Sequence, residues 1–297
     1  KETYQKPTDP RNISQMPKKL EYSTFMYAYH EAVMLKQKWY AFGITPAECA
    51  RRVCETLADA EHATLADGSR FDGHIKRRAR ILARIMMLRY FHQDHHAHLN
   101  ECMDAQIGLK GSTTYGRKYS TGYTRGSGSL ETSDENTGLT AFIEFCAWRH
   151  TVNHRTGANH TPNEAWRKLG LSGGDDSLAG AVDPKSLKRS AEMMGQVYKI
   201  KIVKRGDIGV EFLNRQFGPD VWTGDPSSMA NPARLLSKLW VVPSYLVGPR
   251  ILERFAERAS GYYRMDYNSP VVGDIVRVAH ELLGERKEGK LMPWFGK

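Results

Sequence analysis

Apolar residues recur every three or four positions along several stretches of the chain, which is the pattern of helices with one buried face. Prolines and glycines mark where these stretches begin and end. The predicted helices are Thr24–Tyr40, Pro46–Ala60, Ile75–Leu99, Thr132–Val152, a short segment within 153–170, Pro184–Gly195 and most of the chain beyond Pro219. The apolar positions expected to form the buried face of the third helix are Ile81, Ile85, Leu88 and Leu99.

Shorter apolar runs between these helices predict strands. The first run, His62–Ala66, ends at Asp67, and two later runs cover Tyr198–Val203 and Gly209–Phe217. The apolar residues on either side of 172–177 predict a β-hairpin with that segment as its turn. Residues 1–20 and 110–129 are polar and basic, and we expect extended or loop structure there.

The predicted hairpin turn holds two adjacent aspartates, Asp175 and Asp176, directly after two glycines. Neighbouring carboxylates repel each other unless a cation lies close to both. Mg²⁺ prefers such hard oxygen ligands, and glycines let the backbone turn tightly beside a bulky ligand. A solvated turn without a ligand is the alternative if no other part of the chain supports a metal site.

Charge and composition narrow the class of partner. The 297 residues carry a formal charge of +10, which favours a polyanionic partner, with a basic solvated surface as the alternative. The four cysteines show no disulfide or zinc spacing, so we expect reduced, buried thiols in a cytosolic protein. No apolar run has transmembrane length. The histidines at 92, 95, 96 and 98 contain an HxxH pair, but without a matching Cys or Glu pattern we favour histidines that cap a helix C-terminus.

Three other polar stretches accompany the paired aspartates in a fixed order. Residues 67–72 (DGSRFD) place one carboxylate at the end of a predicted strand and a second one five residues later. Residues 127–136 lead from a Ser-Gly loop into a helix, where Thr132 and Asn136 share one face because they are four positions apart. Residues 212–217 (FLNRQF) fall on a predicted late strand.

This order resembles motifs A, B, C and E of the RNA-dependent RNA polymerases of positive-strand RNA viruses, and most of all those of nodaviruses and their tombusvirus-like relatives. Residues 1–11 resemble the basic motif F. The resemblance extends to Phe217 and implies an α+β right-hand polymerase fold, with an antiparallel palm sheet, partial fingers and a helical thumb. The implied segments are fingers with motif F at 1–45, palm with motif A at 46–91, a fingers insertion at 92–125, palm with motifs B to E at 126–218, and thumb at 219–297.

The resemblance implies RNA-templated RNA synthesis by two-metal-ion nucleotidyl transfer. Two Mg²⁺ ions, with Mn²⁺ as an alternative ion, would stabilise the attacking and leaving oxygens. The implied metal ligands are Asp67 and Asp175, supported by Asp176. The residues implied to recognise the ribose are Asp72, Ser127, Thr132 and Asn136, and Gly128 is implied to bind the nucleotide with them. The residues implied to hold the incoming triphosphate are Lys1, Lys6 and Arg11.

A general acid for the pyrophosphate is expected between motifs C and E. By position we choose Lys204, with Lys199 and Lys201 as rivals. The basic residues expected to contact RNA are Arg117, Lys118, Arg125 and Arg215. For Arg215, a structural ion pair is an open alternative.

The expected partners are template and product RNA and ribonucleoside triphosphates. The chain opens on Lys1 without a methionine and lacks the upstream fingers, so we also expect the remainder of a larger replicase and other replicase copies. The family resemblance implies the host cytoplasm, at membrane-associated replication complexes. Two alternatives remain: a reverse transcriptase, which usually has a bulky aromatic where Asp72 stands, and a non-catalytic basic RNA-binding module.

Overall fold

The computed structural model describes residues 18–113, 115–153, 156–239, 241 and 248–283. Of these, residues 18–42 and 55–205 form one compact unit, here called the larger unit. Residues 43–54 and 206–283 form the smaller unit. This division into two compact units does not test the boundaries of the five segments implied by the resemblance. Those boundaries stay predictions.

The structure describes ten α-helices and nine strands, which are interspersed along the chain. The helices are α1 Lys19–Ala32, α2 Pro46–Leu57, α3 Arg77–Tyr90, α4 His96–Asp104, α5 Thr132–Arg149, α6 Pro162–Arg167, α7 Pro184–Met193, α8 Pro232–Leu239, α9 Pro249–Asp266 and α10 Val272–Leu283. The strands are β1 His62–Gly68, β2 Lys110–Ser112, β3 Lys118–Ser120, β4 Leu171–Gly173, β5 Asp176–Gly180, β6 Tyr198–Lys204, β7 Glu211–Phe212, β8 Arg215–Phe217 and β9 Ser228–Ala230. This mixture of helices and antiparallel strands confirms the predicted α+β class.

The larger unit is built on a four-stranded antiparallel sheet in the order β4-β5-β1-β6. The hairpin predicted around the paired aspartates is confirmed as β4 and β5, which pair Ser172 with Ser177. Strand β1 lies in the centre, and alanines and leucine along it are buried. The central position of β1 fixes its register on both sides, because each neighbour pairs with it directly.

Helices α5 and α7 pack against this sheet over a continuous apolar core. Its fully buried members include Ile143, Val182 and Leu187. A second core cluster is largely aromatic and joins α1, α3 and α4. In α1 the buried residues are Tyr22, Phe25, Met26 and Tyr29, which is the helical spacing that the sequence showed.

The prediction of one long helix over 75–99 is wrong. The chain leaves helical geometry at Phe91, whose ring packs edge-on against Phe25 with centroids 5.1 Å apart, and α4 then begins at His96. The histidines therefore do not cap a helix C-terminus as predicted. The predicted buried face is also wrong in α3, where Ile81 and Ile85 are 45% and 49% exposed. The helix instead buries Ala79 and Ala83, because small side chains let it approach its neighbours closely.

Three smaller predictions also change. The first helix ends at Ala32 rather than near Tyr40, and a single 3₁₀ turn follows it. Segment 110–129, expected as a loop, contains the hairpin β2–β3. The strand expected over 209–217 is the hairpin β7–β8, because Leu213 and Asn214 both adopt left-handed backbone angles, which is the conformation of a tight two-residue turn.

The smaller unit is mainly helical where the structure describes it. Helices α8, α9 and α10 follow the three-stranded sheet β7-β8-β9, and Leu235, Val272 and Val276 form the core of these helices. Cys54 and Cys102 are buried as expected, whereas Cys49 and Cys146 are partly exposed, and none of these four cysteines forms a disulfide. In the part of the chain that the structure describes, no helix combines the length and the apolar character needed to cross a membrane.

A close backbone approach joins the end of β1 to the turn of the β4–β5 hairpin. The amide of Gly68 donates to the carbonyl oxygen of Asp175 at 3.0 Å. A Cβ atom on Gly68 would lie 2.4 Å from the ring of Phe71 and 3.2 Å from the Cβ of Asp175. Only glycine therefore lets β1 and the hairpin turn meet at this distance.

Replacing Gly68 with alanine should destabilise the larger unit by about 1–3 kcal/mol, because the buried ring of Phe71 must shift to admit the new methyl group. Gly73 is the matched control, since a Cβ there would meet nothing within 4 Å. The measurement is the denaturation midpoint of both variants. Equal midpoints for Gly68→Ala and Gly73→Ala would contradict the close approach.

A buried carboxyl group connects α5 to the start of the hairpin. Oε1 of Glu144 accepts hydrogen bonds from the amide of Gly170 at 2.8 Å and from the indole of Trp148 at 3.2 Å. Its Oε2 is buried and has no hydrogen-bond partner among the described residues. Burial raises the pKa of Glu144 to about 7, although both hydrogen bonds oppose this shift.

The raised pKa of Glu144 predicts a stability that depends on pH. Since the folded chain holds this proton and the unfolded chain releases it near pH 4.5, folding loses free energy as pH rises from about 4.5 to 7. The loss approaches about 3 kcal/mol by the end of that window. Glu144→Gln keeps the acceptor oxygen and removes the proton, so the variant should lack this part of the decline. Denaturant unfolding at pH 5 and pH 8 tests this, and identical pH dependence in parent and variant would refute it.

Candidate active site

The register of the central sheet gathers the predicted metal ligands at one end of β1. Asp67 is paired with Asp176 on β5 and with Lys199 on β6. Directly opposed residues of antiparallel strands project from the same face, so these three side chains share one face of the sheet. Asp175 directly precedes Asp176 in the hairpin turn, and its carbonyl oxygen accepts a hydrogen bond from the amide of Gly68. The carboxylate of Asp67 is exposed, and together with those of Asp175 and Asp176 it forms a set of hard oxygen donors. Such a set suits a divalent cation such as Mg²⁺.

One face of α5 holds the turn in place. The hydroxyl of Thr137 accepts from the amide of Gly174 at 2.8 Å, and the hydroxyl of Thr140 donates to the carbonyl oxygen of Gly174 at 2.8 Å. Tyr198, at the start of β6, donates its hydroxyl to Thr140 at 3.3 Å. Both hydrogen-bonding groups of this turn glycine are thus fixed by one helix. Sequence reasoning missed Thr137 and Thr140, although both lie on the same predicted helix, Thr137 directly after Asn136 and Thr140 one helical turn beyond it.

The predicted polar cluster beside the metal ligands is present in part. Asp72 accepts a hydrogen bond from the hydroxyl of Ser127 at one carboxylate oxygen. At the other oxygen it accepts from Nδ2 of Asn136 at 2.8 Å. Asp72, Ser127 and Asn136 therefore form one network across two loops and a helix. Each member is partly or fully buried, so the network is held in a defined geometry.

Thr132 and Gly128 do not join this network. The hydroxyl of Thr132 donates to the carbonyl oxygen of Gly126 at 3.2 Å, which closes the loop that leads into α5. Gly128 lies at the exposed apex of the loop with a backbone φ of 108°, a conformation that favours glycine. Both residues shape the loop, and neither contacts Asp72 through a hydrogen bond that the structure shows.

Arg125 is not a surface residue, and its predicted contact with RNA is wrong. Its side chain is buried, and the whole residue is 2% exposed. The guanidinium donates to Oδ1 of Asn136 and to the carboxylate of Glu135. A buried guanidinium with these partners cannot reach a phosphate in solvent. No pattern in the sequence distinguishes this arginine from its exposed neighbours, because both kinds lie in one glycine-rich basic stretch.

Arg117 and Lys118 lie on the β2–β3 hairpin and are exposed, as an RNA contact requires. Tyr115, between the two strands, is 97% exposed, and Tyr119 lies over Gly111 on the hairpin. No acidic residue occurs between positions 105 and 130, so this hairpin belongs to a uniformly basic stretch. Exposed rings beside basic side chains can stack on bases while the charges contact phosphates.

The choice of Lys204 as general acid is wrong. Lys204 pairs with His62 at the start of β1, whereas Asp67 lies at the other end of that strand. Five residues of strand separate the two positions by about 17 Å, and an odd offset places Lys204 on the opposite face of the sheet. Lys199, considered as a rival, lies directly opposite Asp67 and is exposed.

The remaining predicted residues lie elsewhere. Lys1, Lys6 and Arg11 fall outside the described residues. Arg215 lies in the smaller unit, where its guanidinium donates to both carboxylate oxygens of Asp266 at 3.1 and 3.2 Å and to the backbone of Ser228. The structural ion pair, the open alternative for Arg215, is the arrangement observed, and it occupies the groups that would have contacted RNA.

The histidine segment has one feature that the sequence analysis overlooked. Among the described residues, Glu21, His98 and Cys102 place one ligand atom each within 4.8 Å of one another. The expectation that no Cys or Glu accompanies the histidines is therefore wrong, since Cys102 lies one helical turn beyond His98. Nε2 of His98 is already hydrogen-bonded to Glu21 at 2.5 Å, and Cys102 is a buried thiol of the aromatic core. An ion pair and a core side chain account for all three residues.

Comparison with known proteins identifies relatives of the chain. No family model matches it. The chain is 33% identical over 296 residues to the RNA-directed RNA polymerase of Pariacoto virus, covering 96% of this chain and 29% of that protein. It is 34% identical over 245 residues to the RNA-directed RNA polymerase of striped jack nervous necrosis virus, covering 80% of this chain and 24% of that protein. The chain thus spans less than a third of the length of these curated relatives.

A solved structure shows the same fold. The crystal structure of the RNA-dependent RNA polymerase of a human picobirnavirus superposes with a TM-score of 0.64 at 15% identity, over 88% of this chain and 48% of the other. This similarity confirms the predicted polymerase fold. The sequence identities confirm the predicted relationship to nodaviruses, and neither comparison favours a reverse transcriptase or a non-catalytic module. The chain is a homologue of the nodavirus RNA-directed RNA polymerases, and it has the fold of the viral RNA-dependent RNA polymerases.

Proposed function

We propose that the chain holds the catalytic centre of an RNA-templated RNA polymerase that acts by two-metal-ion nucleotidyl transfer. One observation carries the proposal: the sheet register brings Asp67, Asp175 and Asp176 to one end of β1. The network of Asp72, Ser127 and Asn136 begins five residues further along the chain. Metal ligands and a polar cluster suited to a ribose thus occur on adjoining segments.

The aspartates bind and orient the metal ions. Asp67 and Asp175 are the principal ligands, and Asp176 supports them. Two Mg²⁺ ions, or Mn²⁺ in their place, supply charge stabilisation at the attacking and leaving oxygens. The threonines of α5 fix the turn that carries Asp175, so little reorganisation is needed as charge develops.

The Asp72 network selects the sugar. Asp72 is a hydrogen-bond acceptor with each carboxylate oxygen held by one donor, which leaves lone pairs for a ribose hydroxyl. The 2′-hydroxyl is the group that separates ribonucleotides from deoxynucleotides. A deoxynucleotide would leave a partly buried acceptor without this donor, which costs about 1–3 kcal/mol. An aromatic side chain at this position, as expected of a reverse transcriptase, would block the hydroxyl instead.

Lys199 is the proton donor to the leaving pyrophosphate. It lies across the strand from Asp67, at the end of the sheet where the metal ligands meet. A general acid must be within reach of the group that it protonates, so position decides between Lys199 and Lys204. Lys201 is two residues further from the metal ligands on the same face.

The template and product strands are bound through distributed positive charge. The chain has a formal charge of +10, and Arg117 and Lys118 are exposed on a hairpin that also exposes the rings of Tyr115 and Tyr119. Such binding depends on salt and hardly on sequence. The further partners of the proposal are the rest of a larger replicase and other replicase copies, at membrane-associated complexes in the host cytoplasm.

Asp175→Ala should abolish nucleotide addition and leave RNA binding almost unchanged, because RNA affinity comes from lysine and arginine contacts with phosphates. The measurements are incorporation of labelled ribonucleotides on a primed RNA template with Mg²⁺, and RNA affinity in a filter assay. Asp59→Ala, an exposed aspartate of the same unit, is the matched control and should retain activity. Near-normal incorporation by Asp175→Ala would end the two-metal proposal, as would a parent chain that adds no ribonucleotides.

Lys199→Ala and Lys204→Ala should differ in their effect on the rate, although both remove an exposed lysine from β6. Lys199→Ala should lower kcat by 10²-fold or more, the usual contribution of a general acid. Lys204→Ala should leave kcat nearly unchanged. A larger loss of kcat in Lys204→Ala would support Lys204, the residue chosen from the sequence, and would exclude Lys199 as the general acid.

A further inference from the structure

Arg125 is buried between the sugar-selecting network and the ion pairs behind it. One arm of its guanidinium donates to Oδ1 of Asn136, and the other donates to the carboxylate of Glu135. Its own backbone amide donates to the carbonyl oxygen of Asp72 at 3.0 Å. The residue therefore holds two members of the network, Asp72 through the main chain and Asn136 through the side chain.

The contact with Asn136 determines which way its amide group faces. An asparagine side chain has an acceptor oxygen on one side and a donor nitrogen on the other. Because Oδ1 accepts from Arg125, Nδ2 is left to donate to Asp72 at 2.8 Å. The flipped amide would place Nδ2 against a guanidinium and Oδ1 against a carboxylate. Both contacts would be repulsive, so Arg125 admits one orientation only.

The charge of Arg125 is itself balanced inside the protein. Two arginines, Arg80 and Arg125, and two acids, Glu131 and Glu135, form a buried cluster with no net charge. Burial raises the pKa of Glu135, and the nearby Arg125 opposes that shift. Arg80 donates to Glu131 and to the carbonyl oxygens of Tyr123 and Thr124, and no hydrogen bond joins it to Asn136.

We propose that Arg125 is a positioning residue for sugar selection: it fixes the amide of Asn136 so that Asp72 is presented as an acceptor to the ribose. This inference rests on the proposed function for the role of Asp72. It explains why an arginine occupies the site, since its planar fork serves Asn136 and Glu135 at once. A lysine would keep the charge but offer a single ammonium group, which cannot reproduce both directed contacts.

The first test compares Arg125→Lys with the matched variant Arg80→Lys, which changes an arginine of the same buried cluster. The measurement is the ratio of kcat/KM for a ribonucleotide to kcat/KM for its 2′-deoxy analogue. Arg125→Lys should lower this ratio at least about fivefold, the equivalent of one hydrogen bond. Arg80→Lys should lower thermal stability while the ratio stays within about twofold of the parent. Equal ratios in the two variants would overturn the inference.

A double variant shows whether Arg125 acts through Asn136. Asn136→Ala by itself should lower the ratio, because it removes the donor that holds Asp72. Adding Arg125→Lys to Asn136→Ala should then cause no further decrease, since the amide that Arg125 orients is gone. Decreases that multiply would show that Arg125 affects the site independently of Asn136, and the inference would fail.

A third measurement separates this inference from the proposed function. The side-chain amide protons of Asn136 should exchange slowly with solvent in the parent chain, as observed by nuclear magnetic resonance. Arg125→Lys should accelerate this exchange at least tenfold, and Arg80→Lys should not. This result would support the positioning role even if the parent chain added no nucleotides. Unchanged exchange in Arg125→Lys would overturn it whatever the activity.

Discussion

The register of β1 against its two neighbours is the constraint on which the candidate site depends. Asp67 is set opposite Asp176 on one side and Lys199 on the other. In a pleated sheet a shift of one residue would move every side chain of β1 to the other face. That shift would turn Asp67 onto the face of Ala66, which packs in the apolar core with α5 and α7, and a carboxylate buried there would be costly. Core packing and the placement of the functional carboxylates are therefore enforced by the same pairing.

Helix α5 connects the sheet to the loops around it through hydrogen bonds from its side chains. The helix is buried on most of its surface, and its polar residues face specific partners. Thr137 and Thr140 hold the turn with Asp175, Glu144 holds the start of the hairpin, and Asn136 holds Asp72. A buried polar group without a partner costs free energy, so each contact also specifies where the helix lies. One helix thereby sets the geometry of both the turn that carries Asp175 and the network of Asp72, Ser127 and Asn136.

The buried cluster of Arg80, Arg125, Glu131 and Glu135 also fixes the position of groups around α5. Replacing such a cluster by apolar side chains is often neutral for stability, so its presence calls for another explanation. Within the cluster, Arg125 pairs with Glu135, and its guanidinium also donates to the side chain of Asn136. The charges supply a rigid donor at a place where the orientation of an amide matters. On the role proposed for Arg125, stability and sugar selection are coupled through this residue, which is why Arg80 serves as its control.

Through its resemblance to viral polymerases the sequence implied the α+β fold, and by itself it determined the hairpin around Asp175 and Asp176 and the segments that carry Asp67, Asp72, Ser127 and Asn136. These features are local, because they follow from hydrophobic period, turn residues and the spacing of polar groups. Only the tertiary structure decided which of several similar basic residues faces solvent, which pairs with an acid and which lies opposite Asp67. Arg125, Arg215 and Lys204 were misplaced for this reason. Burial and strand register arise from contacts between distant segments, and a basic side chain carries no local signal of either.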